Sequence, residues 1–235
     1  MSYRLSVDVG GTFTDVVMFD DVLKQVHTTK THSTPRDYSI GIEEGIRKIC
    51  KQLEISQDQI TYFIHGTTVA TNALLERKGA RTALITTQGF RDVLEIARQR
   101  RPDLYNFWVS RPSSPIPRHL VYEVPERTLI SGEIMQKLDV EAARKVIAQL
   151  KEQKVKSVAV CFLHSYANSE NELEMKRLIR EELPGIHLCT SAETLPEIRE
   201  YERFCTTAVN AYLMRNVKDY INKLDVKRRE MGISA

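Results

Sequence analysis

The sequence predicts an α/β fold, and three features of the chain support this. Three extended segments, a helix, a strand, a second helix and a further strand follow one another in the first part of the chain. Later helical segments are amphipathic, and the near-continuous apolar run Ser157–Leu163 is typical of a strand buried on both faces. Elements in this order form mixed sheets flanked by helices.

The first elements are predicted from alternation and helical spacing. Apolar residues alternate with polar ones through Leu5, Val7 and Val9, which predicts a strand, and a Gly-Gly turn leads into a returning strand over Asp15–Phe19. Val22–Thr28 completes a predicted antiparallel meander. The elements that follow are a helix with Ile42, Ile46, Ile49 and Leu53 on one face, a strand over Tyr62–His65, a helix over Thr67–Arg77 and a strand over Ala83–Thr86.

The second part of the chain predicts further helices and strands. They are a short helix from Gly89 to about Arg100, an extended segment Val121–Ile130, a helix over Val140–Lys154, the strand Ser157–Leu163, a helix from Asn168 to Leu183, a strand Ile186–Thr190 and a long helix from Pro196 to Arg229. We therefore expect three divisions of the chain, over residues 1–100, 101–195 and 196–235, the last of them a long helix.

Length and composition set limits on the class of protein. The 235 residues, 42% hydrophobic and 28% charged, suit one large domain or two small ones and exclude a disordered or collagen-like chain. No uncharged apolar stretch approaches the ~18 residues that span a bilayer, and Met1–Gly10 does not resemble a signal peptide. We therefore expect no membrane contact. The four cysteines lie far apart, so we expect reduced thiols, which fits a cytoplasmic location.

Positive charge is concentrated in one window. The net charge is +3, and between Gln88 and His119 six arginines accompany three acids. That window also holds the only tryptophan and four of the eight prolines, so Arg101–Arg118 is predicted to be a long ordered loop. Because Trp108 is costly to expose, we expect the segment Arg91–Arg118 to face a cleft or a partner. Nucleic-acid binding is disfavoured, since the chain is not strongly basic overall and has no recognised motif.

The clearest candidate site is the first turn, Asp8-Val9-Gly10-Gly11-Thr12-Phe13-Thr14-Asp15. Glycines let backbone amides approach phosphate oxygens closely, and the hydroxyls of Thr12 and Thr14 can add donors. Asp8 ends the first strand, where a carboxylate can hold a hydrated Mg²⁺, and Asp15 faces the same turn. A plain Gly-Gly hairpin explains the two glycines equally well, and both the G-x-G-x-x-G and G-x-x-x-x-G-K-[ST] motifs are absent.

A second candidate lies at a strand-to-helix junction, His65-Gly66-Thr67-Thr68-Val69-Ala70-Thr71-Asn72. Helix N-terminal amides at such a junction bind anions or carbonyl oxygens. Taken alone, a helix cap and a structural histidine explain these residues better. A third block, Gly89–Arg98, and the later Glu200–Arg203 are each explained by salt-bridged helix faces, with Asp92 and Glu95 able to pair with Arg91 or Arg98.

These blocks together resemble one family. The sequences DVGGTFTD, HGTTVATNALLERKGARTALITTQGFRDVLEIARQRRPDLY, SVAVCFLHSY and EIREYERFCTTAVNAY are similar to the N-terminal region of the hydantoinase A/5-oxoprolinase family, from Leu5 to about Leu224. The resemblance implies an RNase H-like core of the actin-like, sugar-kinase and Hsp70-like ATPase superfamily. It implies that residues 1–100 form a phosphate-binding lobe, that 101–195 are an inserted α/β segment, and that the helix over 196–235 leads toward a C-terminal lobe. It also implies that ATP activates a carbonyl oxygen, in cyclic amides such as hydantoins and 5-oxoproline or in the ketones of related carboxylases.

The resemblance implies roles for the candidate residues. Asp8 would organise Mg²⁺, with Gly10, Gly11, Thr12 and Thr14 on the γ-phosphate side of ATP and Asp15 beside them. On the side of the carbonyl substrate we expect His65 and Asn72 as catalytic candidates, with Thr67, Thr68, Arg91 and Arg98 as substrate-binding candidates. Partners are expected to be a C-terminal A-type half and a B-type subunit in an oligomer.

Full A-type chains in this family are longer and carry a second phosphate loop and an adenosine-binding glycine segment, which this sequence lacks. We therefore expect the isolated chain to bind ATP weakly and to show no turnover. Two alternatives remain open. The chain could belong to an ATP-dependent ketone carboxylase, or it could be a non-catalytic lobe or fragment that acts in assembly, as reactivating ATPases of this superfamily do.

Overall fold

The computed structural model describes residues 2–99, 103, 105–106, 108–109 and 113–234. The chain folds into two compact units, the first formed by Met1–Glu76 and Asn216–Ala235 and the second by Arg77–Arg215. These boundaries differ from the predicted divisions at 100/101 and 195/196. The difference arises because the strand that starts at Thr82 pairs within the second unit, and because the long helix contributes to both units.

Unit 1 contains a four-stranded mixed sheet. Its strands are β1 (Tyr3–Val9), β2 (Phe13–Asp20), β3 (Val26–His32) and β4 (Ile60–Thr67), in the order β3-β2-β1-β4. The β1–β2 and β2–β3 pairs are antiparallel and the β1–β4 pair is parallel. The predicted α/β class with a mixed sheet is therefore confirmed.

Alternation along β1 separates the two faces of this sheet. Tyr3, Leu5, Val7 and Val9 are buried, whereas Arg4 and Asp8 are exposed. The buried face packs against helix α1 (Tyr38–Leu53), whose N-terminus is capped by the Asp37 side chain. A 3-10 turn (Gln57–Gln59) precedes β4, and the short helix α2 (Val69–Leu75) follows it.

The third strand begins four residues later than predicted, at Val26 rather than Val22. The cause is local. The Asp20 carboxylate accepts hydrogen bonds from the amides of Val22 and Leu23, at 2.7 and 2.9 Å, and these bonds hold the residues after Asp20 in a turn.

Unit 2 is built around a parallel sheet in the order β10-β9-β5-β6. Its strands are β5 (Thr82–Thr87), β6 (Val121–Val124), β9 (Ser157–Cys161) and β10 (His187–Thr190), and a separate two-stranded ribbon consists of β7 (Arg127–Thr128) and β8 (Ile134–Gln136). Every residue of β9 is buried, as predicted for a strand covered on both faces.

Helices cover this sheet. They are α3 (Val93–Ile96), α4 (Val140–Glu152), α5 (Glu170–Glu182), α6 (Ser191–Thr194) and α7 (Glu200–Glu230), with a 3-10 turn at Arg118–Leu120. Helix α7 has 31 residues and places Phe204, Ala208 and Ala211 in the core of unit 2 and Tyr220 and Leu224 in the core of unit 1. Arg100, Arg101, Pro102, Arg111 and Pro112 of the predicted loop lie outside the described residues.

The fold also bears on the cysteines and on membrane-spanning segments. The cysteines Cys50, Cys161, Cys189 and Cys205 are all free, as predicted. Over the part of the chain that the structure describes, no helix combines the length and apolar character needed to cross a membrane.

A buried polar network joins four elements of unit 2. The Glu172 carboxylate accepts hydrogen bonds from the amides of Phe162 and Ala192, at 2.7 and 2.9 Å, and from the Ser191 hydroxyl at 2.7 Å. Arg203, which is fully buried, donates to the Ser191 hydroxyl at 3.1 Å and to the carbonyl oxygen of Phe162 at 2.8 Å. Burial raises the pKa of Glu172, and the hydrogen bonds to its carboxylate oppose that rise.

We predict that Arg203→Leu destabilises unit 2 by about 3–5 kcal/mol, because removing one charge from a buried network leaves the remaining polar groups uncompensated. Hydrogen exchange of the β9 amides in denaturant measures this change. Arg177→Leu is the control, since Arg177 is exposed and pairs with Glu174 and Glu181 on the surface of α5. Equal protection of β9 in both variants would contradict the prediction.

Candidate functional site

The first glycine turn lies at the end of the β1–β2 hairpin and is tightly packed. The Gly10 amide donates to the carbonyl oxygen of Phe13 at 3.0 Å. A Cβ atom added at Gly10 would lie 3.0 Å from that oxygen, and one added at Gly11 would lie 3.3 Å from Nδ2 of Asn72. Gly11 and Thr12 are exposed, so the tip of the turn is open to a ligand.

Parallel pairing brings the second motif beside this turn. In the β1–β4 register Val7 is opposite His65, Asp8 is opposite Gly66 and Val9 is opposite Thr67. The Thr68 amide continues the pairing by donating to the carbonyl oxygen of Val9 at 3.1 Å. Asn72, one turn along α2, donates to the Thr68 hydroxyl at 3.2 Å. The two motifs, 57 residues apart in sequence from Asp8 to His65, therefore form one surface.

Two carboxylates lie next to each other on the exposed face of the sheet. Asp8 is opposite Asp15 in the β1–β2 pair, and Asp15 forms an ion pair with Lys30 at 3.1 Å. Within the described residues the Asp8 carboxylate forms no hydrogen bond or ion pair. Gly66 leaves space for it, because a Cβ atom there would lie 3.3 Å from Oδ1 of Asp8.

This arrangement fits a hydrated magnesium ion. Like charges directly opposite on neighbouring strands repel each other, and a bound cation relieves that repulsion. Mg²⁺ is usually held by one or two carboxylates, with water completing its coordination. Asp8 and Asp15 can supply these carboxylates. Among the described residues no group of three or more His, Cys, Asp or Glu side chains is arranged to hold a metal ion.

Thr14 supports the turn from beneath. Its side chain is fully buried, and its hydroxyl lies 3.0 Å from the hydroxyl of Ser33. Ser33 in turn donates to the carbonyl oxygen of Gly10 at 2.8 Å, and its amide donates to the carbonyl oxygen of Thr12 at 2.9 Å. Ser33 is not among the predicted site residues, because the predicted third strand ends at Thr28, whereas β3 reaches His32 and brings Ser33 to the turn.

His65 lies on the other face of the sheet from Asp8. It shares the core side of its neighbour Val7, and its Nε2 atom forms a short hydrogen bond with the hydroxyl of Tyr220 on α7. Burial lowers the pKa of His65, and the negative charge of Asp8 partly opposes that change. No sequence motif marks Tyr220 as a site residue, since it belongs to an ordinary apolar stripe of a long helix.

The predicted arginines belong to unit 2, where each has a partner. Arg91 donates to the carbonyl oxygen of Arg118 at 3.1 Å, and Arg98 pairs with Glu202 at 2.5 Å. Asp92 pairs with Arg118 at 2.6 Å rather than with a neighbour on its own helix. A substrate role for Arg91 and Arg98 remains a prediction.

Trp108 is 95% exposed in this chain, and Tyr105 is 92% exposed. That the segment Arg91–Arg118 faces a cleft or a partner remains a prediction. Because Trp108 is exposed in this chain, the prediction now depends on a partner that covers it.

Comparisons with known proteins agree on one family. Residues 4–183 match the model of the hydantoinase/oxoprolinase N-terminal region. Caprolactamase subunit alpha of Pseudomonas jessenii is 36% identical over 98% of this chain and 34% of its own length, and 5-oxoprolinase 1 of Arabidopsis thaliana is 34% identical over 93% and 19%. The crystal structure of the ATP-dependent caprolactamase from P. jessenii gives a TM-score of 0.90 at 35% identity, covering 97% of this chain and 34% of that one.

A second solved structure is also similar. The nucleotide-free structure of an acetone carboxylase that carries out ATP-dependent acetone carboxylation gives a TM-score of 0.88 at 25% identity, over 97% of this chain and 34% of that one. The chain thus spans about a third of the length of the caprolactamase and acetone carboxylase chains that it matches.

We predict that unit 1 loses stability on acidification through the titration of His65. Because its pKa is below the ordinary 6.5, the unfolded chain binds a proton at a higher pH than the folded chain does. The contribution of neutral His65 to the unfolding free energy of unit 1 is fully present above pH 6.5 and decreases as the pH falls below that value. Unfolding free energies of wild type and His65→Gln, measured across this range, should converge at acidic pH. Parallel pH curves for the two proteins would contradict this.

We also predict that partner binding covers Trp108. In the chain alone its fluorescence should resemble that of free indole and be quenched by iodide, because the side chain is exposed. Adding the B-type subunit should shift the emission to shorter wavelength and reduce quenching. Emission that responds to neither nucleotide, substrate nor partner would remove the segment from the site.

Proposed function

The chain belongs to the hydantoinase/oxoprolinase N-terminal region family, and from this membership we propose that it is the N-terminal part of an ATP-dependent cyclic-amide hydrolase. In this proposal the enzyme phosphorylates the carbonyl oxygen of a lactam or related ring before the ring opens. One observation supports it most: the glycine turn with Asp8 lies directly beside the His65–Asn72 junction, so a phosphate group and a carbonyl group can be held side by side.

The phosphate side is formed by the β1–β2 turn. The exposed Gly11 and Thr12 offer backbone amides and a hydroxyl to the γ-phosphate oxygens, with no Cβ at Gly10 or Gly11 to obstruct them. Ser33 and Thr14 hold the turn in shape through the hydrogen bonds beneath it. Asp8, with Asp15 opposite, would hold Mg²⁺, which when bound neutralises charge on the phosphates.

The carbonyl side is formed by the start of α2. Asn72 and Thr68 form a hydrogen-bonded pair next to Gly11, and the neighbouring Thr67 is exposed at the end of β4. Donors in such a place can orient a carbonyl oxygen toward phosphorus and stabilise the charge that develops there. Arg91 and Arg98 are proposed as further contacts with the substrate, and His65 is proposed to act behind this surface.

The proposed reaction proceeds through phosphorylation of the carbonyl oxygen, followed by hydrolysis. The carbonyl oxygen forms a bond to the γ-phosphorus while the bond from that phosphorus to ADP breaks. Two water molecules then add in turn at the carbonyl carbon: the first expels the ring nitrogen, and the second expels phosphate. The phosphate leaves with the former carbonyl oxygen, and the products are the opened amino acid, ADP and phosphate.

A second function is supported by a specific observation. The acetone carboxylase structure is almost as similar in fold as the caprolactamase structure, with a TM-score of 0.88 against 0.90. A ketone substrate would use the same phosphate turn and the same activated oxygen, with carboxylation in place of hydrolysis. The higher identity to caprolactamase, 35% against 25%, favours the cyclic amide. A chain that acts only in assembly is the third possibility.

Partners and surroundings belong to the same proposal. We propose that the chain works with the remaining A-type region and a B-type subunit, in an oligomer in the cytoplasm. Caprolactamase subunit alpha is by its name one subunit of an assembly, and this chain aligns with about a third of it.

We predict that Asp8→Asn in the assembled enzyme lowers ATP-dependent ring opening by more than about 3 kcal/mol of transition-state stabilisation, because it removes the charge that positions the cation without changing volume. Turnover of caprolactam, 5-oxoproline and hydantoin with ATP measures this. Asp58→Asn is the matched control, since Asp58 is an exposed residue of the 3-10 turn before β4. Wild-type rates in Asp8→Asn would rule out the metal assignment.

A further inference from the structure

Tyr220 connects α7 to the strand-to-helix junction. Its hydroxyl forms a short hydrogen bond with Nε2 of His65. Tyr220 is only 7% exposed and belongs to the core of unit 1. None of the sequence motifs includes it.

The direction of this bond follows from the protonation states. Burial raises the pKa of Tyr220 to about 12 and lowers the pKa of His65, so near neutral pH the phenol keeps its proton and the imidazole is neutral. The Tyr220 hydroxyl therefore donates to Nε2 of His65. The proton of the imidazole ring is then on Nδ1.

This bond holds the backbone next to Gly66. His65 directly precedes Gly66, and Gly66 lies opposite Asp8, where an added Cβ atom would be only 3.3 Å from Oδ1 of Asp8. A small rotation of this backbone would change the spacing between Gly66 and Oδ1 of Asp8. It would also disturb the bond from the Thr68 amide to the carbonyl oxygen of Val9.

Tyr220 is held in place by more than its hydroxyl. The Tyr38 ring on α1 meets it edge-on with ring centroids 6.0 Å apart, and the His65 ring lies 5.3 Å away. One turn further along α7, Lys223 pairs with Asp37 at 2.9 Å. The charged and titratable groups around the contact are thus Asp8 on β1, Tyr38 and Asp37 at the start of α1, and Lys223 on α7. Removing only the hydroxyl leaves this packing intact.

We propose that Tyr220 is a positioning residue of the phosphate site, acting through His65 to fix the backbone of Gly66 against the carboxylate of Asp8. The proposal rests on the proposed function only for its effect on turnover. Its geometric part concerns this chain alone. It assigns a functional task to a helix that comes from the far end of the sequence.

The geometric part is tested by nuclear magnetic resonance on the purified chain, comparing Tyr220→Phe with wild type. We expect shifts of the His65 ring nitrogens together with the amide signals of Gly66 and Asp8. Tyr38→Phe is the matched control, since it removes a phenol hydroxyl from the partner ring and should leave those amides in place. Amide signals of Gly66 and Asp8 that are the same in Tyr220→Phe and wild type would overturn the proposal.

The functional part is tested in the assembled enzyme by separating kcat from KM. We expect Tyr220→Phe to lower kcat by roughly 10- to 100-fold with a smaller change in the KM for ATP, because misplacement of the reacting groups slows the chemical step. Tyr38→Phe should keep wild-type kcat. A wild-type kcat in Tyr220→Phe would overturn the positioning role. If the wild-type assembly turns over neither a cyclic amide nor a ketone with ATP, the proposed function fails. The shifts of the backbone amide signals of Gly66 and Asp8 then decide the role of Tyr220 alone.

Discussion

The parallel pairing of β1 with β4 is the constraint on which the candidate site depends. It sets Asp8 opposite Gly66 and Val9 opposite Thr67, and it continues into α2 through the bond from the Thr68 amide to Val9. Because side chains alternate along a strand, a slip of one residue would turn Asp8 into the core and Val7 out to the site. The buried apolar residues of β1 thus select the register that the site requires.

One face of this sheet packs into the core of unit 1, and the other carries the candidate metal ligands. Val7, Val9 and their neighbours pack against α1 and the second half of α7, while Asp8, Asp15 and Gly66 remain on the open side. His65 belongs to the first face and Asp8 to the second, although the two motifs meet at the same end of the sheet. Groups such as Ser33 and Tyr220, which have no ligand-binding signature, can therefore control the shape of the site from the packed side.

Local patterns were sufficient to predict the hairpin, the helices other than α6 and the apolar strand of unit 2, because alternation, helical spacing and glycine turns are properties of neighbouring residues. They placed β3 four residues early, since the Asp20 carboxylate captures two backbone amides and delays the strand. They also missed the partners of Thr14 and His65, which come from distant segments. The division into units depends on β5 pairing with β9, about seventy residues later, and on one helix entering both cores. Long-range contacts of this kind leave no mark on composition or periodicity.

In the proposed reaction a carbonyl oxygen of the substrate becomes bonded to phosphorus and leaves with the phosphate when the carbon–oxygen bond breaks. The most direct measurement uses a lactam whose carbonyl oxygen is ¹⁸O, incubated with ATP and the assembled enzyme, followed by mass analysis of the released phosphate. If the oxygen attacks the γ-phosphorus and phosphate leaves by expulsion from the carbonyl carbon, one ¹⁸O atom appears in phosphate for each ring opened. Unlabelled phosphate, with all the ¹⁸O kept in the opened product, would contradict the account.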